Sequence, residues 1–347
     1  MTGTPKAVEG GDLGPLRRIL IMLLAAAAVI GAALLIFALW SIWAFKGPGP
    51  AAGEGRSRDV VLRQGASLPE IASVLGRARV IGSPALFMAA AQLTGDARHL
   101  KAGEYDFPSR SSMQRVLAAV VAGDVVRHPV TIPEGVSSET VTAILMRAPY
   151  LVGVAPVAPE GAILPETYEV QRGEDRSTVL QRMMNARDAL LASLWRSRRS
   201  DLPFETADQA VILASIVEKE TALPDERPRI AAVFVNRLQK GMRLESDPTV
   251  IYGLTGGKPL GHGLRASELA EPTPYNTYLI TGLPPTPIGN PGRASLAAVL
   301  DPPRTSELYF VADGSGGHVF STSLEEHEKN VARWRAMEKA RSIPAAP

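Results

Sequence analysis

The chain has 347 residues, with 37 Lys and Arg against 35 Asp and Glu, giving a net charge of +2; 46% of residues are hydrophobic and none is cysteine. That balance excludes a largely disordered chain. It also excludes general nucleic-acid binding, which needs a basic excess to displace counterions from phosphates. The lack of cysteine removes disulfides, thiolate nucleophiles, iron–sulfur clusters and Cys-based zinc sites.

Residues 1–18 read as a cytoplasmic tail, Gly-, Pro- and Thr-rich at its start. Residues 19–45 then run for 27 positions without a charge. As a helix this stretch reaches roughly 40 Å, more than the roughly 30 Å hydrocarbon core of a bilayer. Trp40 and Trp43 sit near one end, where indoles favour the headgroup region. The apolar run is too long for a signal-peptide core, and no clean small-residue cleavage site follows it. It therefore reads as an uncleaved single-pass membrane anchor, with the bulk of the chain on the far side. Residues 46–57 read as a Gly- and Pro-rich linker.

An internal repeat follows. Val60 to Leu75 (VVLRQGASLPEIASVL) matches Val130 to Leu145 (VTIPEGVSSETVTAIL) at an offset of 70, aligning Gly65 with Gly135 and Ser67 with Ser137. Each copy predicts a short strand, a glycine turn, a serine cap and an amphipathic helix. Ser67 with Glu70 forms a capping-box pattern, while Ser137 and Ser138 compete for the second cap. Modules of this kind serve docking or carbohydrate binding, or simply pack. Helical periodicity marks 109–122, 176–196, 207–221, 226–240 and 324–340. Strands are expected at 308–312 and 318–321, and 253–303 reads as a long irregular but ordered segment. The fold class is α+β. The divisions run 58–108 for the first module, 109–200 for the second module and connecting helices, 201–340 for a mixed α+β catalytic domain, and 341–347 for a tail.

Several chemistries are missing. There is no phosphate loop, no dinucleotide fingerprint, no G-x-S-x-G elbow and no S-x-x-K. The five histidines include no paired metal-binding motif. No metal and no cofactor is expected. Chemistry by carboxylates, amides and hydroxyls remains, as in enzymes acting on sugars. The strongest local feature is Ala207 to Thr221, ADQAVILASIVEKET, an almost wholly apolar helix opened by a Thr206–Gln209 capping box. It ends in Glu218-Lys219-Glu220. Helical spacing puts Glu218 on the face of Val211, Ala214 and Ser215, whose small side chains leave space for a ligand. Glu220 lies over Leu213, Ile216 and Val217. Either carboxyl, held against apolar surface, would keep its proton near neutrality and serve as a general acid. Spacing leans towards Glu218 without deciding. Asn236, and the polar run Glu245, Ser246, Asp247, Thr249 and Tyr252, are further candidates for a sugar cleft.

The segments ASIVEKET (Ala214–Thr221), VFVNRLQKGMRLESDPTVIYG (Val233–Gly253), PYNTY (Pro274–Tyr278), GLPPTPIGNPG (Gly282–Gly292) and YFVADGSGGHVFS (Tyr309–Ser321) stand in one order. Together they resemble the YceG-like family of endolytic murein transglycosylases, over essentially all of residues 58–335. The resemblance implies a single-pass inner-membrane lyase with its catalytic portion in the periplasm, cutting nascent peptidoglycan strands internally and ending their elongation. It implies a LysM-like, glycan-associated module near 58–106, and peptidoglycan synthases (penicillin-binding proteins) as partners. It carries the catalytic role to Glu218, the first glutamate of the triplet. It surrounds that residue with Asn236, Glu245, Ser246, Asp247, Thr249, Tyr252, Tyr275 and Asn276 as the substrate cleft, with a weaker claim for His318. Glu245 departs from the glutamine that the family pattern implies; a second carboxylate near Glu218 would raise its pKa further. The competing functions are a hydrolase on the same polymer and a non-catalytic peptidoglycan-binding scaffold.

Overall fold

A computed structural model describes residues 14–53 and 56–341. The first 13 residues of the expected tail, residues 54–55 of the linker and residues 342–347 lie outside the described residues. The chain forms two compact units that divide between Val126 and Arg127.

The first unit opens with helix α1, Pro15–Lys46, which takes in the whole uncharged run. From Arg17 it is long and apolar enough to cross a membrane. The rest of the unit is strand β1 (Ser57–Leu62), helices α2 (Leu68–Arg77) and α3 (Pro84–Leu93), strand β2 (Gly103–Pro108) and helix α4 (Met113–Ala122). β1 and β2 pair antiparallel, with Val60 opposite Tyr105. Ile71, Leu75, Phe87, Val116 and Leu117 fill the core between sheet and helices. The α2 cap forms as its residues require, the Glu70 carboxylate accepting from the Ser67 N–H at 2.8 Å.

The second unit repeats the plan and then departs from it. Strand β3 (Arg127–Thr131), helix α5 (Ser138–Arg147), strand β4 (Thr167–Gln171) and helix α6 (Arg176–Arg196) follow in order. β3 and β4 pair antiparallel, with Val130 opposite Tyr168. Ser137, not Ser138, caps α5. The likeness between copies extends past the matched segments. Tyr105 donates its hydroxyl to the Lys101 carbonyl (2.8 Å), and Tyr168 donates to the Leu164 carbonyl (2.7 Å). In both copies, then, a tyrosine on the second strand reaches four residues back and lies opposite a valine of the first. Gly65 and Gly135 take the same left-handed turn, with φ of 77° and 74°. Such a φ disfavours any residue with a Cβ.

Beyond α6 come helices α7 (Ala207–Glu220), α8 (Arg227–Gln239), α9 (Asp247–Thr255), α10 (Ala266–Leu269) and α11 (Arg293–Leu300), strands β5 (Tyr309–Ala312) and β6 (His318–Ser321), and helix α12 (Leu324–Arg341). α7 begins at the expected capping box. It is buried at Ala210, Val211 and Leu213 through Val217 because α8 and α11 pack against it. Phe234 of α8 meets Phe310 of β5 edge-on at 5.7 Å, closing the core on the side of the β5–β6 hairpin. The segment 253–303, expected to be irregular, contains two helices. α11 supplies Leu296, Val299 and Leu300 to the core.

Candidate active site

Successive residues of an α-helix turn by about 100°, so Glu218 and Glu220 leave α7 about 200° apart. They enter two different environments.

The space beside Glu218 that Ala214 and Ser215 leave open is occupied by chain. Ser215 Oγ accepts the Ile288 N–H at 2.9 Å, seating the loop that runs from Gly282 to Gly292. At the end of that loop the Gly292 N–H donates to Glu218 Oε2 (2.8 Å), and Arg227 Nη2 stands 3.6 Å from Glu218 Oε1. The Glu218 side chain is 5% exposed and that of Arg227 9%.

Two copies of one tripeptide cradle the same loop. Pro133-Glu134-Gly135 and Pro159-Glu160-Gly161 both turn through a left-handed glycine, with φ of 74° and 75°. At the first turn the Gly135 N–H donates to the Asn290 carbonyl (2.8 Å), and the Asn290 N–H donates to the Val136 carbonyl (3.0 Å). At the second, Glu160 Oε1 accepts from the Ser138 N–H (2.8 Å) and from Asn290 Nδ2 (3.2 Å). Burial raises the pKa of Glu160 against the pull of its hydrogen bonds from Ser138, Tyr252 and the Gly161 backbone. Burial, then the charge of Glu218, raises that of Glu134, while Arg227 opposes the rise. Lys219, which feels Glu160 and Glu218, is pulled down by burial. The contact between loop and turn leaves no slack. A Cβ on Gly289 would lie 2.5 Å from the Gly135 carbonyl oxygen. Gly289→Ala is therefore expected to destabilise the protein by about 1–3 kcal/mol, measured by denaturant unfolding, because backbone must move to admit the methyl.

Glu220 looks the other way, and its surroundings come from the polar run after α8. Ser246 donates its hydroxyl to Glu220 Oε1. Beside it, Tyr278 donates to Asp247 Oδ1 at 2.6 Å. Thr277 zips the two segments together, accepting the Ser246 N–H (2.9 Å) and sharing a hydrogen bond with Thr249 (2.8 Å). Burial pushes the Glu220 carboxyl up to about 7; the Asp247 charge adds to the rise, and the Ser246 hydrogen bond, His318 and Arg237 counter it. Tyr278 is likewise raised, by burial and then by Asp247. Glu245, just before Ser246, takes a φ of 53° although it carries a side chain, a conformation that marks local strain.

The candidates thus fall into several separate environments. Ser246, Asp247 and Thr249 surround or support Glu220. Glu245 turns to Arg237, 3.1 Å away, and the carboxyl group coupled to Glu218 is that of Glu134. Tyr252 and Tyr275 pack edge-on at 5.0 Å; Tyr275 shares a hydrogen bond with Thr286 (2.8 Å), and Tyr252 donates to Glu160 (3.2 Å). Asn236 and Asn276 are engaged with backbone. Asn236 Nδ2 donates to the carbonyls of Thr305 (3.0 Å) and Glu307 (2.9 Å), and Asn276 Nδ2 to those of Leu269 and Glu271 (both 2.8 Å). His318 is held by Glu226, at 2.7 Å from both its Nδ1 and its backbone N–H. Glu134, Glu160, Arg227 and Asn290 were not singled out from the sequence. The repeated Pro-Glu-Gly was the available signal for the first two.

One carboxyl at Glu220, half-protonated near neutrality and flanked by hydroxyls, can give and take back a proton. The edge-on tyrosine pair is half-buried and packs against the core that α7 enters. The Glu220 carboxyl suits acid–base chemistry, and among the described residues the α+β scaffold carries one helix long and apolar enough to cross a membrane. The chain belongs to the YceG-like family, whose sequence pattern matches residues 60–333. An endolytic murein transglycosylase of Bacillus subtilis is 37% identical over 172 residues, covering 49% of this chain and 46% of that protein. One of Streptococcus pneumoniae is 28% identical over 322 residues, covering 79% of this chain and 57% of that protein. The chain spans about half the length of these relatives. A crystal structure of a yceG-like protein of Listeria monocytogenes is 30% identical, covering 79% of this chain and 98% of that one, with a TM-score of 0.49.

Proposed function

We propose that this protein is an endolytic lytic transglycosylase. It cuts the β-1,4 bond between N-acetylmuramic acid and N-acetylglucosamine in nascent peptidoglycan, leaves a 1,6-anhydro end and so terminates elongation. The observation that carries the reading is the Glu220 carboxyl, partly buried, held by Ser246 and raised to about 7. In this reading the acid is Glu220, where the family resemblance alone pointed to Glu218. Both oxygens of Glu218 already face protein groups, the Gly292 N–H and Arg227, and its side chain is nearly sealed. Among the described residues Ser246 bonds the Glu220 carboxyl through Oε1, which leaves the second oxygen for a substrate.

Glu220 donates its proton to the bridging oxygen as the bond to C1 of the muramic residue breaks. Positive charge develops at C1. The resulting carboxylate then removes the proton from the C6 hydroxyl of the same sugar, and that oxygen closes on C1. The departing sugar leaves with the first proton, and Glu220 ends protonated, ready for another cycle. An intramolecular nucleophile has a high effective concentration, so neither a second carboxylate nor an activated water is needed.

The order strand, helix, helix, strand in β1–α2–α3–β2 supports a LysM-like glycan-binding role for residues 58–106. α1 supports anchorage in the inner membrane, with the remainder in the periplasm near peptidoglycan synthases. Mass spectrometry of uncrosslinked strands after digestion tests the reaction. Products one water lighter than hydrolysis fragments, with no new reducing end, are expected. Hydrated ends alone would make the protein a hydrolase, and binding without cleavage would make it a scaffold.

A further inference from the structure

Glu218 is left without a role once the acid is placed at Glu220, yet it is among the most enclosed charged groups of its unit. Its contacts say what it does. The loop 282–292 is fastened to α7 and the second repeat at Ile288 on Ser215, at Asn290 on the turn at Gly135 and on Glu160, and at Gly292 on Glu218. At the last of these the acceptor is a carboxylate that also faces Arg227, and hydrogen bonds to an ionised acceptor are roughly twice as strong as neutral ones. Gly135 lies close enough that a Cβ there would come within 3.3 Å of Glu218 Cγ, so the carboxylate is confined from that side too.

What the loop carries is the tyrosine pair. Thr286 holds the Tyr275 hydroxyl (2.8 Å), and Tyr275 packs on Tyr252. Tyr252 reaches Glu160, which in turn holds Asn290 of the same loop. These contacts close a ring: loop, Tyr275, Tyr252, Glu160, loop. α9 links the ring to the acid, because Asp247 at its first position neighbours Glu220 while Tyr252 lies five residues on.

We propose that Glu218 is a positioning residue that fixes the tyrosine face of the glycan site through the Gly292 end of loop 282–292. This rests on the glycan-cleaving reading above. The glutamate that the sequence marks as catalytic sets the shape of the ligand face, and its neighbour two residues on handles the proton.

The test is steady-state kinetics of the full chain in detergent on uncrosslinked glycan strands, comparing Glu218→Gln, Thr286→Val and Glu220→Gln. Glu218→Gln keeps an acceptor for Gly292 but loses the charge. It is expected to raise KM about 5- to 10-fold, change kcat by less than about 2-fold, and leave the basic limb of the pH profile in place. Thr286→Val, which cuts the link from loop to Tyr275 without touching Glu218, is expected to raise KM in the same way. The two changes together should raise it by less than the product of the single effects. Should Glu218→Gln fold poorly, Thr286→Val alone still decides, since an unchanged KM there overturns the proposal. A wild-type KM in a folded Glu218→Gln, with Glu220→Gln inert, also overturns it and leaves the acid assignment standing. An inert Glu218→Gln beside an active Glu220→Gln overturns both.

Discussion

Glu220→Gln is expected to lower the rate of strand cleavage by about 10²–10⁴-fold, the usual contribution of a positioned acid–base group. The same change is expected to make the protein more stable in alkali. The carboxyl titrates near 7 in the folded protein against an ordinary value of 4.5. Below about pH 4.5 it is protonated in both folded and unfolded chains and contributes nothing to pH dependence. Between the two values the folded chain binds more protons, so stability falls as pH rises. Above about pH 7 the penalty is complete, at most about 3 kcal/mol from 1.36 kcal/mol per unit. Glutamine carries no such penalty. Thermal or urea unfolding of wild type and variant should nearly coincide at pH 4.5 and separate progressively towards pH 8. A constant gap across that range would mean that Glu220 does not carry the raised titration. Wild-type cleavage should in turn fail as pH climbs past 7, because the proton that starts the reaction is gone. With Glu220 as the acid of the proposed reaction, activity and stability would pull against each other at this residue.

The sequence reading was strongest where the signal is local. α6 begins and ends where periodicity places it, because Asp175 caps one end and 3.6-residue spacing runs the full length. The start of α7 follows from Thr206 and Gln209 alone, and the internal repeat announced both strand–helix modules. The strands β2 and β4 escaped notice. Their partners lie tens of residues upstream, and five or six residues give periodicity little to work with. α11 escaped for a similar reason: eight residues between Pro291-Gly292 and Pro302-Pro303 look like loop until α7 and α8 bury them. The choice between Glu218 and Glu220 turns on the same kind of information. Helical spacing says which residues share a face. It does not say what covers the face. A gap beside Ala214 and Ser215 reads equally as room for a sugar or as a seat for backbone, and Ile288, over seventy residues away, takes it. The polar run 245–249 shows the reverse case. Ser246, Asp247 and Thr249 of that run lie near one another while Glu245 turns to Arg237, and the carboxyl beside them is visible only once α9 is placed against α7.

Arg227→Met is expected to destabilise the fold by about 3–5 kcal/mol, the usual consequence of stripping a buried charge of its partner. The guanidinium sits at the first position of α8 with 7% of the residue exposed, facing the carboxyls of both Glu218 and Glu134. Without it, Glu134 and Glu218 lose the guanidinium that both feel, and Lys219 is left as the cation acting on Glu218. The loss should therefore come from the stranded charge more than from the missing bond. Adding Glu218→Gln to Arg227→Met discriminates between these causes. If stranded charge dominates, the double variant recovers most of the stability lost by Arg227→Met. The coupling in a double-mutant cycle is then several kcal/mol, measured by urea unfolding at pH 8. If the cost is lost packing of the arginine stem, the two losses simply add. Glu218→Gln alone should be far milder than Arg227→Met, because Glu134 remains to compensate the guanidinium. That asymmetry is the signature of one cation shared by two carboxyls, one from the second repeat and one from α7. It ties the repeat module to α7, so an electrostatic change at the repeat's glycine turn should be felt at Glu218 before it is felt at Glu220.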